Sequence, residues 1–101
     1  MRTHSLGDTL LVNEFGNFSG PCAGMVRDLV RATLKPDHKY VEVDLKNSRF
    51  VDSEGLSALI SLHKTVVQRD GAVRIRNASP MVRDLFQLTH LDTLFEFVPA
   101  A

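Results

Sequence analysis

Residues 40–60, YVEVDLKNSRFVDSEGLSALI, decide the fold of this chain. Apolar and polar side chains alternate from Tyr40 to Leu45, which predicts a strand with one apolar face. A polar loop and the apolar pair Phe50-Val51 follow, and an amphipathic helix begins within Asp52–Gly55. A strand that passes through a loop into a helix is typical of α/β proteins.

The same alternation of strands and helices extends in both directions. Further strands are predicted at Thr9–Phe15 and Ala72–Arg76, with a weaker segment at Arg2–Leu6 before a Gly7-Asp8 turn. Ser19-Gly20-Pro21 and Ser79-Pro80 predict helix starts, each with a serine cap before a proline. The predicted inward stripes are Cys22, Met25, Val26, Leu29, Val30 and Thr33 in the first helix; Leu56, Leu59, Ile60, His63 and Val67 in the second; Val82, Leu85, Phe86 and Thr89 in the third.

The chain closes with a short piece at Leu91–Phe95 and an apolar tail, Phe97-Val98. These elements predict an open α/β sheet, with right-handed crossovers wherever consecutive strands are parallel. A length of 101 residues predicts one domain, residues 1–101.

Composition excludes several classes of protein. Twelve basic residues balance 12 acidic ones, so the electrostatic attraction on which most nucleic-acid binders rely is missing. No run of consecutive apolar residues exceeds three, which predicts neither a membrane-spanning helix nor a signal peptide. The single Cys22 cannot form an intramolecular disulfide and suits a reducing cytosol.

One segment could carry chemistry. Ser53 lies where a strand-to-helix junction leaves backbone N–H groups free, and such a helix start favours negative charge. A phosphoryl group there would bring about −1.5 to −2 charges, and Gly55 would allow a partner to approach closely. The alternative is that Asp52 or Ser53 only caps the helix.

From Tyr40 to Val98, and more loosely from Thr9, the chain resembles the STAS domain of bacterial anti-anti-sigma factors. The segments that carry the resemblance are Val41–Leu45, Phe50–Leu59 and Ser79–Leu91. It implies a STAS-type open sheet of four to five strands, mostly covered on one face by about four helices.

The resemblance also implies a partner switch controlled by phosphorylation. In this family the unphosphorylated protein binds an anti-sigma factor that is itself a serine kinase, and thereby releases the sigma factor. Phosphorylation ends that binding, and a PP2C-type phosphatase reverses it. By position, Ser53 would accept the phosphoryl group and Asp52 would be the neighbouring acid.

The expected partner surface consists of Asp52, Ser53, Glu54, Gly55, Leu56 and Ser57. ATP and magnesium would belong to the kinase, so we expect no cofactor, metal or catalytic residue in this chain. We expect a cytoplasmic protein, a monomer or weak dimer, without direct contact to nucleic acid or membrane.

Two departures from the family pattern are visible. Glu54 stands where small Ser, Thr or Ala is commoner, and its carboxylate would repel an incoming phosphoryl group, slowing transfer or selecting a kinase that supplies a cation. The stretch Gly16–Ser19 lacks the acid that often follows the first long strand in the family, which puts any kinase contact there in doubt.

Three alternatives remain open at this stage. A STAS module could serve a transport or signalling assembly with Ser53 never modified. A serine hydrolase would need a glycine two residues before Ser53, where Val51 stands. Arg74 and Arg76 predict a solvated strand face or, alternatively, a contact with an acidic partner surface.

The four histidines lack metal-ligand spacing, and His63 is predicted to pack within its helix stripe.

Overall fold

A computed structural model of the chain describes residues 1–99. Five strands and three helices occur in this range. The strands are β1 (Arg2–Leu6), β2 (Thr9–Asn13), β3 (Tyr40–Asp44), β4 (Ala72–Arg76) and β5 (Glu96–Val98). The helices are α1 (Gly20–Thr33), α2 (Ser53–Val67) and α3 (Pro80–Leu88). None of these helices is long and apolar enough to cross a membrane.

The strands form one sheet in which spatial order follows chain order, β1-β2-β3-β4-β5. β1 and β2 form an antiparallel hairpin around the Gly7-Asp8 turn, and every later pair is parallel. One helix connects each parallel pair because a parallel connection must return the chain to the same edge of the sheet. The predicted open α/β sheet of four to five strands is therefore confirmed.

Two rows of apolar side chains run across the inner face of the sheet. Leu10 pairs with Val41 and Val41 with Val73, and one step along the strands Val12, Val43 and Ile75 repeat the pattern. All six side chains are buried. A slip of one residue in any strand would turn its row toward solvent, so these rows fix the register.

The helices bury slightly different faces from those predicted. α2 buries Gly55, Ala58, Leu59, Leu62 and Val66, while Val67, predicted to lie inward, is 47% exposed. α1 buries Ala23, Val26 and Val30 and exposes Met25. α1 and α2 pack against the sheet and against each other, and the apolar sector of each helix is wider than the part that these contacts bury.

The expected number of about four helices is wrong for the described range, which holds three. The short piece Leu91–Phe95 forms turns, with the Leu94 N–H donating to the Leu91 carbonyl at 3.1 Å. Phe95 is buried against the Phe86 ring, with centroids 5.5 Å apart. The apolar tail then forms β5, because it can pair with β4. A segment of five residues is too short to form a stable helix unless packing supports it.

The outer face of the sheet is polar and internally paired. Arg74 donates to Glu96 at 3.2 Å and lies 3.9 Å above the centroid of the Tyr40 ring. Arg76 donates to Glu42 at 3.0 Å, and the Glu42 side chain is only 8% exposed. Both guanidinium groups thus have carboxylate partners within this chain.

The turn before β4 is packed against the start of β3. The Gly71 N–H donates to the Val66 carbonyl at 2.9 Å, which ends α2, and Asp70 has a φ of +59°. A Cβ on Gly71 would lie 1.6 Å from the Lys39 carbonyl oxygen, so only glycine fits. The predicted Asp70-Gly71 turn is confirmed, and glycine is required at position 71 because the Lys39 backbone lies so close to it.

We predict opposite effects from two glycine-to-alanine substitutions. Gly71→Ala should lower the free energy of unfolding by at least about 2 kcal/mol, because the backbone must shift to relieve the clash. Gly24→Ala should raise it by about 0.5–1 kcal/mol, because alanine favours a helix and the flexible Arg27 side chain is its nearest neighbour, at 3.7 Å. Urea denaturation measures both, and equal effects of the two substitutions would contradict the packing described.

Candidate functional site

The Asp52 carboxylate joins the starts of two helices. Its Oδ1 accepts the Gly55 N–H at 2.9 Å, which caps α2, and its Oδ2 accepts the Gly20 N–H at 3.0 Å, at the first residue of α1. Asp52 is half-buried. Ser19, predicted to cap α1, occupies the N-cap position but makes no side-chain cap bond. One carboxylate therefore serves both helices, since each start has unpaired N–H groups.

The loops that lead into α1 and α2 are held together along their length. The Arg49 N–H donates to the Asn17 side-chain oxygen at 2.7 Å, and the Phe18 N–H donates to Ser48 Oγ at 2.9 Å. Ser48 Oγ also donates to the Phe50 carbonyl at 2.9 Å. Phe18 and Val51 form a parallel β-bridge. These contacts fix the path of the chain immediately before Ser53.

Gly55 permits a close approach, but the approaching group is part of this chain. A Cβ at this position would lie 2.2 Å from the Phe18 carbonyl oxygen and 2.6 Å from Val51 Cγ1. Gly55 is buried, and its N–H is bound by Asp52. The expectation that a partner approaches Gly55 is therefore corrected: this glycine lets α2 pack onto Phe18.

Ser53 is exposed at the first position of α2. Its hydroxyl has no hydrogen-bond partner among residues 1–99, and within that range the N–H groups of Ser53 and Glu54 also have no acceptor. Of the two residues considered as the helix cap, Asp52 is confirmed in that role and Ser53 is not the cap. The positive end of the α2 dipole lies beside the free hydroxyl.

The other predicted site residues divide into exposed and supporting groups. Glu54 and Ser57 are exposed, and Leu56 is half-buried against the core. Within residues 1–99 the Glu54 carboxylate forms no ion pair. The surface around Ser53 therefore presents a hydroxyl and an uncompensated acid, with Asp52 and Gly55 holding it from beneath.

Two of the histidines have neighbours that are structural, and in the described part of the chain neither lies beside Ser53 in a group of potential metal ligands. His63 follows Ser53 by ten residues on α2, about 15 Å along the axis, and its ring packs edge-on against Phe95. His38 is buried between the Lys35 N–H at 2.9 Å and Ser5 Oγ at 2.8 Å. Residues 1–99 contain no cluster of three potential metal ligands.

Sequence reasoning missed the positioning roles of Asn17 and Ser48. Both lie in polar loop stretches that look solvated in the sequence, and Ser48 is in fact buried. No periodic signal marks them, because their bonds join loops about 30 residues apart. A serine and an asparagine before predicted helix starts were the available hint.

We predict that the carboxylate of Asp52, and not the Ser53 hydroxyl, stabilises this region. Asp52→Ala should lower the free energy of unfolding by at least about 2 kcal/mol, since it removes a cap and a second charge-assisted bond. Asp52→Asn should cost less, because the amide oxygen can still cap α2. Ser53→Ala should change stability by less than about 0.5 kcal/mol. Denaturant titration of the three variants checks the order, and a large loss in Ser53→Ala would contradict it.

Comparison with known proteins places this geometry in a family. The sequence model of the STAS domain matches residues 3–100. The chain is 27% identical over 90 residues to a STAS-domain containing protein of Pseudomonas aeruginosa, covering 89% of this chain and 88% of that protein. It is 26% identical over 91 residues to the anti-sigma F factor antagonist of Paenibacillus polymyxa, covering 89% and 75%.

Solved structures show the same fold. The anti-sigma factor antagonist SpoIIAA in its unphosphorylated form superposes with a TM-score of 0.76 at 17% identity, over 99% of this chain and 88% of that one. The phosphorylated form of SpoIIAA, from Bacillus, gives a TM-score of 0.72 at 16% identity, over 97% and 90%. The family match, together with the five-stranded sheet and its three connecting helices, shows that this chain belongs to the STAS domain family.

Proposed function

We propose that the chain, residues 1–101 acting as one STAS domain, is an anti-sigma factor antagonist switched by phosphorylation of Ser53. In the unphosphorylated state it binds an anti-sigma factor that is a serine kinase, and the sigma factor is released. Phosphorylation at Ser53 ends that binding. Two similar proteins bear the name of anti-sigma factor antagonists, which supports the general role.

One observation carries the proposal: the Ser53 hydroxyl is exposed and unpaired within residues 1–99 on a rigid helix start. A kinase needs a hydroxyl that it can reach without unfolding its substrate. Ser53 meets that need because Asp52 has taken over the capping role. Two free N–H groups beside it can donate hydrogen bonds to a phosphate oxygen after transfer.

The charge of a phosphate is large enough to act as the switch. Two added charges about 6 Å from a partner carboxylate cost roughly 1 to 5 kcal/mol between water-like and surface-like dielectric constants. Because about 1.4 kcal/mol changes an affinity tenfold, this range dissociates a moderate complex. The fold need not change, and SpoIIAA superposes on this chain in both of its forms.

Glu54 sets a requirement for the kinase. Its exposed carboxylate is adjacent to Ser53 and is not neutralised by a cation within residues 1–99. An ATP γ-phosphate approaching Ser53 meets this negative charge. The kinase that fits this site therefore contributes a Lys or Arg opposite Glu54, and Glu54→Ala broadens the range of kinases that accept the protein.

The remaining parts of the pathway follow from the same proposal. ATP and magnesium are bound by the kinase, a PP2C-type phosphatase removes the phosphoryl group, and the chain works in the cytoplasm as a monomer or weak dimer. The partner surface consists of Ser53, Glu54, Leu56 and Ser57, with Asp52 and Gly55 supporting it.

Phosphorylation at Ser53 is the first test. Incubation with the cognate anti-sigma factor kinase and ATP should add one phosphoryl group, which mass spectrometry should locate on Ser53. Ser53→Ala should abolish the transfer, and Thr93→Ala, which removes an exposed hydroxyl outside the partner surface, should preserve it. Transfer that persists in Ser53→Ala would reject this site, and a chain that no kinase modifies would favour the role as an unmodified subunit of a transport assembly.

Ser53→Asp tests charge as the switch. The variant should bind the kinase at least about tenfold more weakly than the unaltered chain, since even a single added charge repels a partner carboxylate. Ser53→Asn, with similar bulk and no charge, should weaken binding less. Calorimetry measures both affinities, and thermal unfolding should show an intact fold. Equal affinities for the Asp and Asn variants would count against charge.

A further inference from the structure

An apolar groove opens beside the loop that carries Ser53. It is a cavity of about 220 Å³ lined by Phe50, Val51, Met81, Val82 and Leu85. Val51 and Val82 are buried at its base, whereas Phe50 and Met81 are 48% and 68% exposed. The groove therefore joins the β3–α2 loop to α3 with apolar side chains that the chain leaves in contact with water.

α3 presents two apolar sides, and only one of them is fully buried in the core. Val82 and Phe86 are buried beneath the helix. Met81, Leu85 and Leu88 follow at intervals of four and three residues and so share a second side, on which Leu88 is 79% exposed. Large exposed apolar patches mark binding surfaces, and this side of α3 leaves Met81 and Leu88 exposed.

We propose that this groove receives an apolar side chain of the anti-sigma factor kinase that docks on Ser53. The inference rests on the proposed function and adds to it a second contact, remote from the phosphoryl group. The contact gives the unphosphorylated complex affinity that does not depend on charge.

The groove is close enough to Ser53 to fall within the area that a docked enzyme covers. A stable protein complex buries about 800 Å² on each partner, equivalent to a disc of about 16 Å radius. Phe50 and Val51 precede Ser53 by three and two residues, and the chain cannot span more than about 3.8 Å per residue. The Cα atoms of both residues therefore lie within about 11 Å of the Ser53 Cα, inside the radius that a docked enzyme of ordinary size covers.

The size of the groove fits one inserted side chain of a larger partner better than it fits a whole dimer contact. One inserted aromatic side chain buries about 150–250 Å², a small part of the roughly 1,600 Å² that a stable complex needs. The groove alone cannot hold a second copy of this chain. As one pocket within a larger interface around Ser53, it has the properties of a hot spot, which is apolar, preformed and shielded from water after docking.

The test measures the affinity of groove variants for the kinase that phosphorylates Ser53 in the assay above. Met81→Ser and Phe50→Ser should weaken binding of the unphosphorylated protein at least tenfold. Met81→Leu should bind within about twofold of the unaltered chain. The matched control is Val67→Ser, because Val67 is 47% exposed on α2 and lies about 21 Å along that helix from Ser53, outside the footprint. It should bind normally.

The outcomes separate this proposal from the proposed function. If the unaltered chain binds and is phosphorylated while Met81→Ser and Phe50→Ser bind equally well, the groove is not an anchor and the Ser53 switch stands. If the kinase neither binds nor phosphorylates the unaltered chain, the proposed function fails and this inference with it. If sedimentation shows a dimer that Met81→Ser dissociates, a second copy occupies the groove and the proposal is overturned. Thermal unfolding verifies each fold, and Met81→Gln replaces Met81→Ser if the serine variant unfolds.

Discussion

The site depends on one carboxylate that accepts two backbone N–H groups from two helices. Asp52 caps α2 through Gly55 and holds the first residue of α1 through Gly20. Both bonds are charge-assisted, and together they fix the two helix starts relative to each other. This arrangement leaves the neighbouring Ser53 hydroxyl without a structural role within residues 1–99.

In this region the buried side chains hold the backbone in place, and different, exposed side chains are available to a partner. Buried or half-buried groups, among them Ser48, Asp52 and Gly55, hold the loop and the helix start in place. Exposed groups, Ser53 and Glu54, face solvent without internal partners in the described range. A surface built in this way can be modified with little change in stability. In the proposed switch, a phosphoryl group on Ser53 alters what the protein binds and leaves its fold unchanged.

Part of this site could be predicted from the sequence, and part could not. Strand-to-helix patterning located Ser53 at a helix start, and the resemblance identified its role as the expected phosphoacceptor. The function of Gly55 could not be predicted, because its close neighbour is the carbonyl of Phe18, 37 residues earlier in the chain. The cap of α1 could not be predicted either, because it comes from Asp52 and not from the adjacent Ser19. Contacts between distant loops leave no periodic trace in a sequence.

The sequence by itself determined four of the five strands and the three helices of residues 1–99, because the apolar period of each segment selects strand or helix and the face to be buried. Only the tertiary structure decided which part of each wide apolar stripe is covered. On α2 the sheet and α1 bury Leu62 and Val66 and leave Val67 in solvent, and on α3 Met81 remains outside. The physical reason is that a helix buries only the sector its neighbours can reach, and those neighbours are set by the order of the strands.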